Sequence, residues 1–158
     1  MRIGIVGHGE DKFTEKSKNE AKQLIKNILI FGSSNVMSLI TKREDVILVS
    51  GHSPVDGIDI WAEEIAKELR YELDLKVPKQ HTWDAEYGYR QRNIDIAKCS
   101  DILHVILVDK YPVEYKGMRF KTCYHCHIDT HVKSGACWTG KVAKKLNKEV
   151  ITHIIKND

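Results

Sequence analysis

Cysteine and histidine residues cluster in one short segment of the chain. Three cysteines and three histidines lie within the fifteen residues from 123 to 137. Thiolate sulfur and imidazole nitrogen are ligands that zinc prefers in four-coordinate structural sites. The spacing Cys-x2-Cys-x4-His-x5-Cys predicts a zinc site formed by Cys123, Cys126, His131 and Cys137, with His125 and His127 as alternatives to His131.

The predicted zinc is structural, because four protein ligands fill its tetrahedral positions and leave none for water. The metal-binding segment is predicted as an insertion over about residues 110–137. Its last cysteine, Cys137, also lies in a glycine-bearing turn, so a bound metal would hold that turn in place and couple metal occupancy to ligand affinity. Clustered cysteines in a reducing compartment favour metal binding over disulfides.

Two glycine-bearing turns have the chemistry to bind a phosphate group. Residues 50–57 and 134–140 each begin with Ser-Gly and each lead into a helical pattern. Glycine lets the backbone approach an oxyanion without a Cβ in the way, and a helix N-terminus offers unpaired N–H groups and a positive dipole end. Asp56 and Asp59 are candidates for capping the helix that follows the 50–57 turn, or for accepting a hydrogen bond from a ribose hydroxyl. The candidate ligand-binding residues in the two turns are Ser50, Gly51, Asp56, Ser134, Gly135 and Thr139, and Gly7 at the end of the first strand is a further candidate.

The elements that must position these residues alternate between strands and helices. The predicted strands are 3–6, 46–49, 73–77, 102–108 and 150–155, and the predicted helices are 15–30, 58–69, 91–98 and 138–146. This alternation predicts an α/β fold with a mostly parallel sheet of about five strands and helices on both faces, which is a three-layer sandwich. We predict a single domain over residues 1–158. Such sheets bind ligands at the carboxyl ends of their strands.

Composition restricts the classes of function. The formal net charge of +3 and the pI near 8.6 suit an anionic ligand, yet the basic residues form no clustered stripe of the kind that nucleic-acid-binding proteins carry. No apolar stretch approaches the roughly 18 residues of a membrane span. The first seven residues are typical of a strand rather than a signal peptide. We therefore predict a cytoplasmic protein.

Three segments carry a resemblance to a known superfamily. The segment SGHSPVDGIDIWAEEIAKEL resembles the SGGARGVDxxAexxA motif of the SLOG superfamily, which has a Rossmann-like fold. The segment YRQRNIDIAKCSDILHVIL is similar to its R-N-x-x-I-A…S-D stretch, and SGACWTGKVAKKLNKEVITHII resembles its closing helix and strand. The similarity extends from Met1 to Ile155.

The resemblance implies a nucleotide-related ligand held by the two glycine turns. The superfamily includes the phosphoribohydrolases of the Lonely Guy type and the DNA-processing protein A family. By the same resemblance, Arg92 and Asn93 match its Arg-Asn position and face the ligand, with Arg90 as the nearby alternative to Arg92. A homodimer is likewise implied at the level of the family. The chain departs from the phosphoribohydrolases because their PGGxGTxxE motif ends in a catalytic Glu, whereas no acid follows Thr139-Gly140-Lys141 here.

We therefore predict a protein that binds a nucleotide or a related phosphate-containing ligand and carries a structural zinc. One alternative is a nucleotide phosphoribohydrolase or N-glycosidase, in which Asp56, Glu86 or Glu10 would have to supply the carboxylate. A second is a single-stranded nucleic-acid-binding protein, with Tyr124 and Trp138 as stacking groups and a steep salt dependence of affinity.

Four further side chains have assignable positions. Trp61 falls on the apolar stripe of a helix and is expected to pack in the core, and His104 lies within an apolar strand as a core histidine with satisfied hydrogen bonds. His8 follows the first strand, where it either contacts a ligand or belongs to a polar loop tip. Trp83 belongs to an aromatic stretch that is a candidate for covering a bound base.

Overall fold

One parallel sheet organises the molecule. The structure is a computed structural model that describes residues 1–32, 46–84 and 86–158. Its strands are β1 (Arg2–Gly7), β2 (Ile47–Ser50), β3 (Glu72–Leu75), β4 (Ile102–Val108) and β5 (Glu149–Ile155), and its helices are α1 (Glu15–Phe31), α2 (Ile58–Glu68), α3 (Tyr89–Cys99) and α4 (Gly135–Lys145), with a short 3-10 helix at Glu10–Lys12. The strand order is β3-β2-β1-β4-β5, and every neighbouring pair is parallel. This confirms the predicted α/β fold.

The two faces of the sheet are covered by different helices, as a three-layer fold requires. Strand β1 shows the division, since Ile3 and Ile5 pack in one apolar cluster with α1 and α2, and Val6 packs in the other with α3 and α4. Strands buried on both faces carry uninterrupted apolar runs, which is why β1 and β4 are recognisable in the sequence. From β1 the chain continues to β2 on one side, and from β4 it continues to β5 on the other side. The carboxyl ends of β1 and β4 are therefore the topological switch point of the sheet.

Local chemistry explains where the first helix begins. Thr14 caps α1 by accepting a hydrogen bond from the Ser17 amide, and the Ser17 hydroxyl accepts one from the Thr14 amide. Thr14 is therefore the N-cap at which the helix begins. Trp61 on α2 is 1% exposed and packs edge-on against Phe13 at 5.1 Å, so its predicted role in packing is confirmed.

Several predicted details differ from the structure. Helix α4 begins at Gly135 rather than at residue 138, because the Ser134 hydroxyl accepts a hydrogen bond from the Ala136 amide and starts the helix there. The helix ends at Lys145 rather than at residue 146, with Leu146 as its C-cap and Asn147 next at a φ of 57°. Neither Asp56 nor Asp59 caps α2, whose N-cap is Gly57.

The core histidine is only half satisfied. His104 is 2% exposed, and its Nδ1 lies 3.0 Å from Nε2 of His153 on the neighbouring strand β5. Its own Nε2 has no hydrogen-bond partner among the residues that the structure describes. Burial and the neighbouring His153 together lower the pKa of His104 to about 4, so the imidazole is neutral at physiological pH.

Candidate functional site

A cavity of about 740 Å³ opens at the carboxyl end of β1. This is the edge of the sheet where α/β proteins of this topology bind ligands. The first turns of α2, α3 and α4 converge on the cavity, together with the segment between β4 and α4. The predicted ligand-binding residues that line it are Gly7, Asp56, Arg92, Asn93, Ser134, Gly135 and Thr139.

The other two predicted ligand-binding residues lie behind the cavity wall. Ser50 is fully buried, and its hydroxyl donates a 2.7 Å hydrogen bond to Glu63. A Cβ on Gly51 would lie 2.9 Å from Asp59 Oδ2 and 3.1 Å from Arg92 Nε. The absence of a side chain at Gly51 therefore makes room for Asp59 and Arg92.

The first glycine turn uses its helix N-terminus for contacts within the protein. Gly57 has a φ of 117°, which L side chains rarely adopt, and a Cβ there would lie 2.5 Å from the His8 carbonyl. The Ile58 amide donates to that same carbonyl at 3.1 Å, and the Gly57 amide donates to Asp56 Oδ1 at 2.6 Å. These bonds connect α2 to the end of β1, so the amides of Gly57 and Ile58 already have acceptors.

The second glycine turn is more open. A Cβ on Gly135 would have only Asn93 Nδ2 and Trp83 Cζ3 within 4 Å, each at 3.8 Å. Gly135 is the first residue of α4, whose initial N–H groups have no partner within the helix itself. Ser134 satisfies the Ala136 amide at 3.1 Å. The N-terminus of α4 thus offers an anion both space and hydrogen-bond donors.

Arg92 contributes a guanidinium to the wall between the two turns. Its Nε and Nη2 donate to Asn93 Oδ1 at 3.1 and 3.0 Å, and the group lies over the Tyr89 ring at 4.9 Å. Burial lowers the pKa of Arg92, whereas Asp59 raises it. An arginine nevertheless stays charged in proteins, so the cavity has a fixed positive group at this wall.

Asp59 is a buried carboxylate that lines the same cavity. It is 7% exposed, and burial raises its pKa from 3.8 to about 6, an effect that Arg92 opposes and Glu63 reinforces. A backbone hydrogen bond from Gly7 also lowers the pKa of Asp59. The charge of Arg92 thus compensates that of Asp59 only in part, and the two side chains form no ion pair at contact distance. An ionised group held in this state carries a cost that an incoming hydrogen-bond donor would reduce.

The carboxylates proposed for a hydrolase are placed less favourably. Asp56 lies exposed at the cavity and already accepts a hydrogen bond from the Gly57 amide. Glu10 forms an ion pair with Lys18, and Glu86 is exposed and does not line the cavity. The carboxylate that combines burial with access to the cavity is Asp59, which the sequence suggested only as a cap or a ribose acceptor.

His8 is a structural residue of the cavity wall. Its Nδ1 accepts a 3.1 Å hydrogen bond from the Val108 amide, so Nε2 carries the proton and donates toward the carbonyls of Val132 and Lys133 at 3.3 and 3.2 Å. Burial lowers its pKa to about 3, with a further contribution from Lys12. His8 therefore stays neutral and joins β1, β4 and the segment that leads into α4.

Aromatic rings form much of the remaining lining. These rings belong to Trp83, Tyr89, Tyr111, Tyr115, Phe120, Tyr124 and His125. Tyr111 stacks on Tyr115 at 4.7 Å, and the Lys133 ammonium lies 5.1 Å from the centre of the Tyr124 ring. The sequence indicated Trp83 and Tyr124 as groups that cover or stack on a base, whereas Tyr111, Tyr115 and Phe120 were not predicted. Four aromatic residues between 111 and 124 in a segment without periodicity were the available signal.

The four predicted metal ligands come together beside α4. The ligand atoms of Cys123, Cys126, His131 and Cys137 all lie within 4.8 Å of one another. Cys123 Sγ is 3.5 Å from Cys137 Sγ, and Cys126 Sγ is 3.2 Å from His131 Nε2. Two sulfurs on a tetrahedral zinc stand about 3.8 Å apart when each Zn–S bond is about 2.3 Å. The cluster is therefore of the size that such an ion requires.

The donors are also oriented for a metal. His131 Nδ1 donates to the Val132 carbonyl at 2.7 Å, which leaves the lone pair of Nε2 directed at the thiols. His127 is exposed, with a φ of 60° in the turn after Cys126, and His125 lies against Trp83 at 5.6 Å on the cavity lining. Of the three candidate histidines, only His131 belongs to the cluster in the described part of the chain.

The metal cluster and the cavity share the first turn of α4. Cys137 lies in that turn, and its Sγ is 3.1 Å from the carbonyl of Ser134, the N-cap residue. Cys123 Sγ is 3.9 Å from the same carbonyl. The backbone that a metal would fix at Cys137 is thus the backbone that presents Gly135 to the cavity.

None of the described helices is long and apolar enough to cross a membrane. No protein-family model and no curated protein matches the sequence.

Solved structures resemble the fold. The molybdenum cofactor carrier protein of Chlamydomonas reinhardtii superposes with a TM-score of 0.56 at 18% identity, over 96% of this chain and 74% of the carrier. DNA processing protein A of Streptococcus pneumoniae superposes with a TM-score of 0.54 at 12% identity, over 96% of this chain and 49% of that protein. The chain therefore shares the Rossmann-like α/β fold of these two solved structures.

Proposed function

We propose that this protein binds a nucleotide or a related phosphate-containing ligand in the cavity at the end of β1. The observation that carries the proposal is the composition of one continuous lining. It combines the open N-terminus of α4 at Gly135, the guanidinium of Arg92 and eight aromatic or imidazole rings. A phosphate and a flat ring are the two chemical groups that such a lining accommodates best.

The phosphate is assigned to the N-terminus of α4. The first turn of a helix stabilises an anion through its free N–H groups and its dipole by up to about 2 kcal/mol in partly buried geometry. The corresponding turn of α2 is less suitable, because the amides of Ile58 and Gly57 already donate to His8 and Asp56. Arg92 and Lys133 line the cavity and add positive charge.

The ring system is assigned to the aromatic part of the lining. Stacking of a base on an aromatic side chain contributes about 1–3 kcal/mol and tolerates different bases. Trp83 lies next to Gly135 and packs edge-on against Trp138 at 5.2 Å, so one stacking surface adjoins the proposed phosphate position. The names of the structural neighbours fit this class of ligand, since one is a carrier of a molybdenum cofactor and the other processes DNA.

The Cys3His cluster is assigned to a structural zinc held by Cys123, Cys126, His131 and Cys137. Its donor set and the hydrogen bond that orients His131 support this metal. Because Cys137 belongs to the first turn of α4, zinc would rigidify the proposed phosphate position. Removal of zinc with a chelator is therefore expected to weaken nucleotide binding as well as to lower the melting temperature.

A second candidate function is hydrolysis of an N-glycosidic bond. The observation that favours it is Asp59, a cavity carboxyl group whose pKa of about 6 suits a general acid or base near neutral pH. The missing acid after Thr139 counts against the mechanism of the Lonely Guy enzymes but does not bear on one that uses Asp59.

Both functions are tested by one experiment. Zinc-loaded protein is screened by thermal shift against ribonucleotides, cyclic nucleotides, sugar nucleotides and a short DNA oligonucleotide. Each ligand that stabilises the protein is then incubated for hours and analysed by chromatography. An intact stabilising nucleotide supports a binding or carrier function, and release of free base supports the hydrolase. If nothing in the panel raises the melting temperature, the proposal is wrong.

The remaining proposals concern the whole protein. We propose a single domain and a homodimer, which light scattering on the purified chain tests. We also propose a cytoplasmic location, because a reducing compartment keeps the cysteine cluster available for metal.

A further inference from the structure

The two buried carboxylates of α2, Asp59 and Glu63, differ in their hydrogen-bond partners. Glu63 is 2% exposed, and its oxygens receive hydrogen bonds from the Ser50 hydroxyl at 2.7 Å and from His52 Nδ1 at 2.8 Å. Asp59, one helical turn earlier, is 7% exposed and lines the cavity without an ion pair among the described residues. Side-chain donors thus bond to both oxygens of Glu63. The Asp59 carboxylate has a backbone hydrogen bond from Gly7 and the nearby charge of Arg92, but it accepts from no side chain among the described residues, which leaves it able to accept hydrogen bonds from a ligand.

The position of Asp59 indicates which part of a ligand it meets. Asp59 and Arg92 flank Gly51, Arg92 bonds to Asn93, and the Asn93 amide lies 3.8 Å from where a Cβ of Gly135 would be. Asp59 is therefore connected through two side chains to the proposed phosphate position. A group that lies next to the phosphate in a nucleotide is its ribose, and the vicinal hydroxyls of ribose are donors that a carboxylate accepts.

We propose that the Asp59 carboxylate accepts hydrogen bonds from the vicinal hydroxyls of the ligand, so that the cavity selects ribonucleotides over 2′-deoxyribonucleotides. The inference rests on the proposed nucleotide function and names the sugar that it requires. Asp59 acts here as a binding residue and takes no part in a bond-breaking step. Loss of a hydrogen bond to a charged acceptor is expected to change affinity by about 10- to 100-fold.

Isothermal titration with the four nucleoside 5′-monophosphates, their 2′-deoxy forms and inorganic phosphate tests the inference. The zinc-loaded wild type is expected to bind the ribose form at least about tenfold more tightly than the deoxy form. Asp59→Asn should remove this ratio by weakening only the ribose form, while its affinity for inorganic phosphate is unchanged. Glu63→Gln removes a buried carboxylate that does not line the cavity and should keep the ratio.

The outcomes separate the inference from the proposed function. If ribose and deoxy forms bind the wild type equally, or if Asp59→Asn keeps the ratio, the role of Asp59 is wrong while nucleotide binding stands. A preference for guanine bases that disappears in Asp59→Asn, without sugar selection, would assign Asp59 to the base and overturn the inference. If none of the nucleotides binds, the proposed function fails and the inference fails with it.

Discussion

Replacement of Asp59 by asparagine should stabilise the protein at neutral pH. Burial of the ionised carboxylate has an unfavourable desolvation free energy, whereas the amide of asparagine has nearly the same shape and no charge. Burial raises the Asp59 pKa from 3.8 to about 6. A shift of roughly two pKa units corresponds to about 3 kcal/mol of differential free energy between the protonation states. Asp59→Asn is expected to recover up to about that amount in the free energy of unfolding at pH 7.5.

The pH dependence of the stability difference between Asp59→Asn and wild type shows whether the buried charge of Asp59 is its cause. Because the pKa of an acid is raised in the folded state, the folded protein binds more protons than the unfolded chain between pH 3.8 and about 6. The contribution of Asp59 to the free energy of unfolding therefore falls as pH rises through this window and is constant above it. The difference between variant and wild type should be small near pH 4 and reach its maximum above pH 7.

Urea unfolding of both proteins between pH 4 and pH 8, with zinc in every buffer, measures this difference. Other titrating groups, including those of the metal cluster, are common to the two proteins and cancel in the comparison. An Asp59→Asn variant that is less stable than wild type at pH 7.5, by an amount independent of pH, would refute the reasoning. A variant that is more stable but binds ribonucleotides less tightly would mark Asp59 as a residue kept for function.

Three further outcomes are expected. Cys126→Ser should abolish stoichiometric zinc in elemental analysis and lower the melting temperature, whereas His127→Ala should leave both unchanged because His127 lies outside the cluster. Arg92→Met should weaken nucleotide binding by about tenfold, since it removes a charged donor, while Arg90→Met, on the exposed side of the same helix, should not. Thr14→Ala should cost about 1 kcal/mol in urea unfolding through loss of the α1 cap, without an effect on ligand affinity.

The layer architecture could be predicted because it depends on local patterns. The apolar runs at β1 and β4 reflect burial on two faces, and the amphipathic stripes at α1 and α2 reflect burial on one face. Both patterns can be recognised from the order of apolar and polar residues in the sequence. The Cys3His cluster could be predicted for a related reason, because three cysteines and a histidine at such short spacing are typical of a metal site. Only the choice among three histidines needed the fold.

The walls of the cavity could be predicted less well, because a residue type does not reveal which way its side chain faces. Asp56 and Asp59 are three positions apart, and only the packing of α2 on β1 makes one exposed and the other buried. Gly51 suggested a phosphate contact, but glycine serves equally to make room for neighbouring side chains, as it does here beside Asp59 and Arg92. The aromatic lining from residues 111 to 124 follows no periodicity that could place it.

The measurement that tests the central claim most directly is the response of the α4 amides to a nucleotide. In a ¹⁵N-labelled, zinc-loaded sample titrated with a ribonucleoside 5′-monophosphate, the amide resonances of Gly135 and Ala136 should move with saturation. Gly140, on the same helix but packed against Val105 of the sheet, serves as the internal reference and should stay in place. A saturable titration that leaves Gly135 unchanged, or the absence of any response, would contradict a phosphate site at this helix N-terminus.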